Sequence, residues 1–268
     1  MHQFDLDTEV KFTSPHDWQG KVSKNWFFGS APHGGYMMSM AARAMSQLFS
    51  QDEYKHTVPV SITATFVEQA AAGDVNGTIE VQRRGKRFTQ AVSKVMQDGR
   101  PCLQLVAVYG AQELYDGEVC SDFVAPIIPC PQECVPLSSR GIPFRDQVET
   151  RLVPEDARYF PNGGKEQMEL LGWVRFTDGR QVDLVSLAVF ADAFPRATVL
   201  RTGVTGWIPS LDLTIQCMGI PAPGFIATRF RSRMLGNGLL EEQGELWDSD
   251  GKLVAVCRQS AIQRRKST

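Results

Sequence analysis

The sequence predicts an α+β protein made of two similar repeats, each with one long helix and a curved antiparallel sheet. In each half, a run with helical spacing precedes four strand-like runs that turn signals separate. Matching positions also recur at one spacing, since Gly34 and Asp183 are 149 residues apart and so are Ser61 and Ser210. This regularity indicates an internal duplication, whose halves can pair side by side as one continuous sheet.

The composition restricts the functional class. The 268 residues carry a net charge of −2, and 43% of them are hydrophobic. We therefore expect a globular protein with no nucleic-acid partner and no anionic membrane surface as partner. The start, "MHQFDLDTEV", is too polar for a signal peptide. Six cysteines are too few for a disulfide scaffold, so we expect free thiols in the cytoplasm.

The first repeat opens with a glycine-led helix. Apolar residues recur at helical spacing over Gly34–Phe49, directly after the aromatic run "WFFGSAPH". Four strand-like runs follow: "VPVSITATFVEQ", "NGTIEVQRRG", "RFTQAVSKVMQ" and "PCLQLVAVYGA". Dipeptides such as Gly85-Lys86 and Asp98-Gly99 separate them, which predicts an antiparallel meander.

The second repeat follows a proline-rich segment. "SDFVAPIIPCPQECVPLSS" carries four prolines and no periodicity, which predicts a linker. We therefore divide the chain into a repeat over 1–118, a linker over 119–145 and a repeat over 146–268. A strand at "QMELLGWVRFT" precedes the predicted second helix, "DLVSLAVFADAFPRATVL", and four strands come after it: "PSLDLTIQCM", "GFIATRFRSRML", "GLLEEQGELWDS" and "KLVAVCRQSAIQ".

The start of the first helix is a candidate binding position. Helix N-termini leave backbone N–H groups unpaired, and glycines let a ligand approach them closely. Gly34 and Gly35 therefore suggest a site for an oxygen atom. The alternative is a glycine-rich turn before a core helix. His33 either contacts a substrate oxygen or only orients the loop, and Met37 belongs either to the core or to a groove for acyl chains.

These segments resemble the double-hotdog acyl-CoA thioesterases of the thioesterase II type. The resemblance rests on the G-G-Y helix start, the meander from "FVEQAAAGD" to "VMQDGR", and "LAVFADAFP", "PSLDLTIQ" and "DGKLVAVCRQSAI" in the second half. It implies a tandem hotdog that hydrolyses acyl-CoA without a metal, a cofactor or a covalent Ser-His-Asp relay. It also implies a homo-oligomer.

The resemblance assigns three catalytic residues. Asp192 falls on the family's aspartate, Ser210 stands where the family usually has threonine, and Gln259 falls on its glutamine. Together they are expected to hold one attacking water. The residue types agree, because a carboxylate in the apolar run "VFADAF" needs hydrogen-bond donors around it. The alternative is that Asp192 caps a turn and Gln259 faces solvent. Ser260 departs from the acidic residue that relatives often carry there.

In paired hotdogs the carboxylate and the helix start come from different halves. We therefore expect the N–H groups of Gly34 and Gly35 to face the thioester carbonyl while Asp192 activates water, which makes Gly35 a catalytic residue. The duplicated site has Met45 or Arg43 near the carboxylate's place, so we expect it to be inactive. The expected substrate contacts share the first helix and the segment before it: Trp26, Phe28, His33, Gly34, Tyr36 and Met37, with Trp207 adding to the aromatic entrance.

Other functions stay open. The fold could bind or shape a reactive polyketide or terpenoid intermediate of secondary metabolism without hydrolysing it. A hotdog hydratase needs an Asp–His pair, and the four histidines lie in the first fifth of the chain, so we expect none near Asp192. Cys130 and Cys134 have no second ligand pair nearby, so we expect no metal site.

Overall fold

The computed structural model describes residues 1–263. It contains fifteen strands in this range: β1 (Val10–Phe12), β2 (Asp17–Val22), β3 (Phe27–Phe28), β4 (Ala31–Pro32), β5 (Val58–Phe66), β6 (Gly73–Arg84), β7 (Phe88–Gln97), β8 (Arg100–Gly110), β9 (Val135–Pro136), β10 (Val148–Leu152), β11 (Glu169–Phe176), β12 (Ser210–Cys217), β13 (Ile226–Gly236), β14 (Leu239–Trp247) and β15 (Leu253–Ile262). The α-helices of the same range are α1 (Gln3–Asp7), α2 (Gly34–Phe49), α3 (Pro143–Gln147), α4 (Pro154–Ala157), α5 (Leu187–Ala191) and α6 (Val199–Thr202).

Thirteen of these strands form one antiparallel sheet. Their order is β1-β2-β6-β7-β8-β5-β12-β15-β14-β13-β11-β10-β9, and β3 pairs with β4 separately. The order β6-β7-β8-β5 in the first half recurs as β13-β14-β15-β12 in the second. The halves meet where β5 pairs with β12, with Thr63 opposite Thr214. The predicted duplication and continuous sheet are therefore confirmed.

The turns follow the local sequence. Asp98 and Gly99 join β7 to β8, and both have positive φ values, 50° and 75°. Asp-Gly suits such a turn because glycine adopts this conformation without steric cost. Gly251, at the matching turn between β14 and β15, has a φ of 76°.

Helix α2 is the long helix of the structure and lies in the core. Most of its sixteen residues are buried, and Met38, Met40 and Met45 are fully enclosed. It packs on β5, β7 and β8 of its own repeat and on α5 of the other repeat. The methionines of α2 mostly fill the core, and Met37 alone among them also reaches the cavity described below.

In the described part of the second repeat, up to residue 263, no helix matches α2 in length, which corrects the prediction of two long helices. The predicted run forms α5 over Leu187–Ala191 and ends at Asp192. Pro195 lacks a backbone N–H and its ring disfavours a helical conformation at Phe194, so the helix cannot continue. The chain resumes helical structure in the short α6. Asp192 consequently lies at a helix end and not in the middle of a helix.

The proline-rich segment also differs from a plain linker. Its residues Val135–Pro136 form β9, which pairs with β10 at the outer edge of the sheet. Six strands were not predicted: β1, β2, β3, β4, β9 and β10. All six cysteines are free thiols, as expected. Within residues 1–263, no helix is long and apolar enough to cross a membrane.

Candidate active site

The end of α5 meets the start of α2. The backbone N–H of Gly35 donates to Oδ2 of Asp192 at 3.2 Å. A Cβ atom at position 35 would lie 2.0 Å from the carbonyl oxygen of Ala188, so only glycine permits this approach. The structure thus brings a carboxylate of the second repeat to the first turn of the helix of the first repeat, as the sequence predicted for these two positions.

His33 caps α2 and also contacts the carboxylate. Its Nδ1 accepts the N–H of Tyr36 at 3.3 Å, so in the neutral ring the proton is on Nε2. This Nε2 donates to the backbone oxygen of Asp192 at 2.9 Å and lies 3.4 Å from its Oδ2. The expectation that no histidine lies near Asp192 was wrong, because the packing of the two repeats joins positions 159 residues apart.

An arginine that the sequence analysis missed lies at the centre of the site. Nη2 of Arg196 donates to Oδ1 of Asp192 at 2.6 Å and to Oγ of Ser210 at 2.8 Å. Its Nη1 donates to Oε1 of Glu242 at 3.3 Å. The guanidinium therefore connects Asp192 to Ser210, the place where the prediction put the attacking water. The i, i+4 spacing of Asp192 and Arg196 was the signal that could have revealed this pair.

A directed chain of hydrogen bonds continues behind Ser210. The serine hydroxyl donates to Oε1 of Gln259 at 3.1 Å, and Nε2 of Gln259 donates to Oε1 of Glu242 at 2.9 Å. The second oxygen of Glu242 accepts the N–H of Ala197 at 2.5 Å. Gln259 is 1% exposed, so it does not face solvent, and it binds Ser210 and Glu242 and not Asp192. Glu242 was also missed.

The electrostatic environment shifts the pKa values of Asp192 and Glu242 in opposite directions. Burial alone would raise the pKa of Asp192, but the charges of His33 and Arg196 and its hydrogen bonds lower it below its usual range. Burial dominates at Glu242 and raises its pKa, although Arg196 opposes this effect. Burial also lowers the pKa of His33 despite the nearby Asp192, so this imidazole gives up its proton more readily than an exposed one. The lasting positive charge of the site is that of Arg196.

A cavity of about 980 Å³ opens onto this cluster. Six of the predicted site residues line it: Phe28, His33, Gly34, Met37, Asp192 and Ser210. Trp207, expected at the aromatic entrance, and the newly found Arg196 also line it. Gly35 and Gln259 lie behind its wall. Phe28 and Trp207 have ring centroids 5.7 Å apart and belong to the aromatic part of the lining, together with Phe66, Phe160 and Phe194.

Trp26 and Tyr36 do not line the cavity, contrary to the prediction that they contact substrate. Both are fully buried and stack on each other at a centroid distance of 5.2 Å. The indole N–H of Trp26 donates to Asp7 at 2.9 Å, and the hydroxyl of Tyr36 donates to the backbone oxygen of the same residue at 2.7 Å. They fix the segment before α2 in the core.

Comparison with known proteins identifies the family. Residues 22–110 match the model of the acyl-CoA thioesterase N-terminal domain, and residues 130–263 match that of the C-terminal domain. The chain belongs to the acyl-CoA thioesterase family.

The solved structures of similar chains have the same fold. A Thermobifida fusca structure, provisionally assigned as a thioesterase II, is 26% identical with a TM-score of 0.89 and covers 99% of this chain and 98% of its own. A hot dog protein of unknown function from Alicyclobacillus acidocaldarius is 19% identical, with a TM-score of 0.87 and full coverage of both chains. Among relatives compared by sequence, an uncharacterized protein of Mycobacterium tuberculosis is 22% identical over 96% of this chain and 94% of its own. The predicted hotdog fold is confirmed.

In this thioesterase-family chain, the duplicated position carries an ion-pair cluster. Arg43 stands 149 residues before Asp192 and binds Oδ1 of Asp5 at 2.8 Å. Arg180 binds the same oxygen at 2.9 Å and Oδ2 of Asp183 at 2.6 Å. In the first repeat a cation therefore occupies the position that corresponds to Asp192. The inactivity of this second site stays a prediction.

Proposed function

We propose that the chain hydrolyses acyl-CoA thioesters by direct attack of water, with Asp192 as the general base. One observation carries this proposal: the buried carboxylate of Asp192 faces a cavity of about 980 Å³ at the first turn of a helix from the other repeat. The family membership supports a thioester hydrolase in general. The roles of individual residues are our own assignment.

The direction of the hydrogen bonds suggests how a water is held. Gln259 donates to Glu242 and must therefore accept from Ser210, whose proton points away from the cavity. Oγ of Ser210 accepts one bond from Arg196 and has a second lone pair left. A water that donates one proton to Ser210 and the other to Asp192 keeps its own lone pair free to attack a carbonyl carbon. The lowered pKa of Asp192 keeps its carboxylate ionised at neutral pH.

The start of α2 supplies a donor for the oxyanion. Gly35 already donates to Asp192, so we assign this role to the N–H of Gly34, which lines the cavity. The dipole of the sixteen-residue helix adds positive potential there. A Cβ at position 34 would lie 2.8 Å from Phe66 and 3.0 Å from Oδ2 of Asp192 and would crowd the reacting groups. When the C–S bond breaks, Asp192 returns the proton to the departing thiolate.

Thiol release by Asp192→Asn tests the proposal. The asparagine keeps the shape but cannot accept a proton, so kcat should fall about 100- to 10,000-fold on a panel of acyl-CoAs. Asp183→Asn is the matched control, because Asp183 lies in the duplicated cluster and should leave turnover unchanged. Circular dichroism checks that both variants fold. A folded Asp192→Asn variant with near-normal turnover would remove the aspartate from the mechanism.

A second function, ligand shaping without hydrolysis, is favoured by one observation. Both oxygens of Asp192 already accept hydrogen bonds, and Arg196 lies between Asp192 and Ser210. If the protein shapes a ligand without hydrolysing it, the wild type releases no thiol, and mass spectrometry finds a polyketide or terpenoid that co-purifies with it. The hydratase alternative is less favoured, because Nε2 of His33 carries a proton and Nδ1 is occupied by the helix, so neither nitrogen is a free base.

We also propose that the working form is a cytoplasmic homo-oligomer and that its substrate is linked to CoA. The repeats are proposed to divide at the predicted boundaries. Exposed sheet edges are usually covered in proteins, and an oligomer is one way to cover them. Light scattering at micromolar concentration tests the assembly, and a monomer would contradict it.

A further inference from the structure

The charged residues of the cavity are unequally paired. In the described part of the chain five charged side chains line it: Glu68, Arg140, Arg145, Asp192 and Arg196. Glu68 pairs at 3.5 Å with Arg100, a residue outside the lining. Asp192 pairs with Arg196. Among residues 1–263, Arg140 and Arg145 have no carboxylate within 4.0 Å. Two positive charges therefore remain uncompensated in the cavity wall.

Arg145 is held in place but keeps donors for a ligand. One Nη1 proton donates to the backbone oxygen of Ser138 at 2.8 Å, and the guanidinium lies 5.4 Å from the ring centre of Phe28. These contacts fix the side chain and leave further N–H groups toward the cavity. Burial lowers the pKa of Arg145, and the charge of Arg140 lowers it further, so the two guanidinium groups influence each other. An anion between them would relieve this repulsion.

The rest of the wall restricts where an anion can bind. Much of the lining is apolar, with residues such as Phe66, Leu103, Leu152 and Val199, which suits an acyl chain. Arg196 is committed to Asp192, Ser210 and Glu242. Guanidinium groups bind phosphate oxygens with paired hydrogen bonds, so a phosphate is the ligand that matches the two unpaired arginines.

We propose that Arg140 and Arg145 form a phosphate-binding subsite for the pantetheine-linked carrier of an acyl thioester. This rests on the proposed function only in taking the ligand to be an acyl thioester. The phosphate has two sources, the diphosphate and 3′-phosphate of CoA or the single phosphate of a phosphopantetheine arm on a carrier protein. The subsite anchors the carrier at the arginines while the acyl group enters the apolar part of the cavity.

Equilibrium binding of thioether analogues tests this without any hydrolysis. The ligands are S-dodecyl-CoA, S-dodecyl-dephospho-CoA, S-dodecyl-phosphopantetheine and S-dodecyl-pantetheine, and isothermal titration calorimetry measures their affinities. The phosphate-free pantetheine ligand should bind about 10-fold or more weakly than the CoA ligand. If the CoA ligand binds much more tightly than the phosphopantetheine ligand, CoA is the carrier. If these two ligands bind with equal affinity, a single phosphate is sufficient.

Substitutions assign the effect to the two arginines. Arg140→Gln and Arg145→Gln should each weaken binding of S-dodecyl-CoA about 10-fold and leave the pantetheine ligand unchanged. Arg145→Lys should recover part of the loss, which separates charge from packing against Phe28. The exposed Arg83, outside the cavity lining, is the control, and Arg83→Gln should bind like the wild type.

Three results would overturn the subsite. The first is equal affinity of the wild type for the CoA and pantetheine ligands, and the second is a phosphate effect that survives in both glutamine variants. The third is that the glutamine variants lose affinity only for analogues with an ω-carboxylate on the alkyl chain and not for the phosphate-containing ligands. If the wild type binds as expected but releases no thiol from acyl-CoA, the subsite stands and the hydrolase proposal fails.

Discussion

Replacing Arg196 with methionine removes the cation that two buried carboxylates share. Asp192 is 7% exposed and Glu242 is 2% exposed, and Arg196 itself is 10% exposed. Methionine fills a similar apolar volume but donates no hydrogen bond. Both carboxylates then face a poorly hydrated interior without a positive partner.

The expected loss of stability is large. Removing one partner of a buried, hydrogen-bonded ion pair costs about 3–5 kcal/mol, because the remaining charge is left uncompensated. The loss should be smaller at lower pH. Without Arg196 the pKa values of Asp192 and Glu242 rise in the folded state, so the variant regains stability as pH falls and these groups take up protons.

Urea unfolding measures this effect. We expect Arg196→Met to lose about 3–5 kcal/mol of unfolding free energy at pH 7.5 and less at pH 5.0, and Glu242→Gln to recover part of the loss in the double variant. Arg43→Met is the matched control, since Arg43 and Asp5 are 27% and 28% exposed and their separation should cost about 1 kcal/mol or less. A loss below about 1 kcal/mol for Arg196→Met at pH 7.5 would refute the reasoning.

Three further predictions concern the neighbouring residues. Ser210→Ala should lower kcat of thiol release about 10-fold. Ser210→Thr should not lower it, because the hydroxyl is retained. In the Asp192→Asn background, Ser210→Ala should cause little further loss of kcat. Gly35→Ala should lose about 1–3 kcal/mol in urea unfolding, since its Cβ would lie 2.0 Å from the backbone oxygen of Ala188; an unchanged stability would show that α2 and α5 can separate at no cost. The wild type should lose stability as pH falls from 7.5 to 5.5, because the lowered pKa of His33 lets the unfolded chain bind a proton before the folded one. His33→Asn should flatten this slope, while His16→Asn, at an exposed position, should keep it; equal slopes in all three proteins would contradict the assignment to His33.

Much of the fold could be predicted because the strands alternate and the turns carry their own signals. In β7 buried and outward-facing residues alternate along the strand, and Asp98-Gly99 marks the turn that follows. The matching glycine turn at Gly251 made the duplication visible. The second helix was overestimated because apolar residues continue past Asp192, whereas Pro195 ends the helix there.

The candidate site could be predicted only where its residues break a local pattern. Asp192 is polar within an apolar run, and two adjacent glycines open α2. His33 could be predicted only as a possible substrate contact, and the i, i+4 spacing to Asp192 is the one local signal for Arg196. Glu242 looks like an ordinary surface residue in the sequence. The contact between His33 and Asp192 spans 159 positions and arises only when the two repeats pack together. Arg196 and Glu242 are 46 positions apart and meet through the folding of the second repeat.

The most direct test of the account is a single turnover in H₂¹⁸O with enzyme in excess over acyl-CoA. If Asp192 activates a water that attacks the thioester carbonyl, the fatty acid of the first turnover contains one ¹⁸O atom and the peptide containing Asp192 contains none. Attack by the carboxylate itself would form an anhydride of Asp192 with the acyl group and release the thiolate. Water that opens this anhydride at its aspartyl carbon would leave the first fatty acid without ¹⁸O and place ¹⁸O on Asp192, and an aspartyl hydroxamate formed at Asp192 with added hydroxylamine would reveal an anhydride that water opens at its acyl carbon. The first result is the one that we predict, and the second would contradict the general-base role of Asp192.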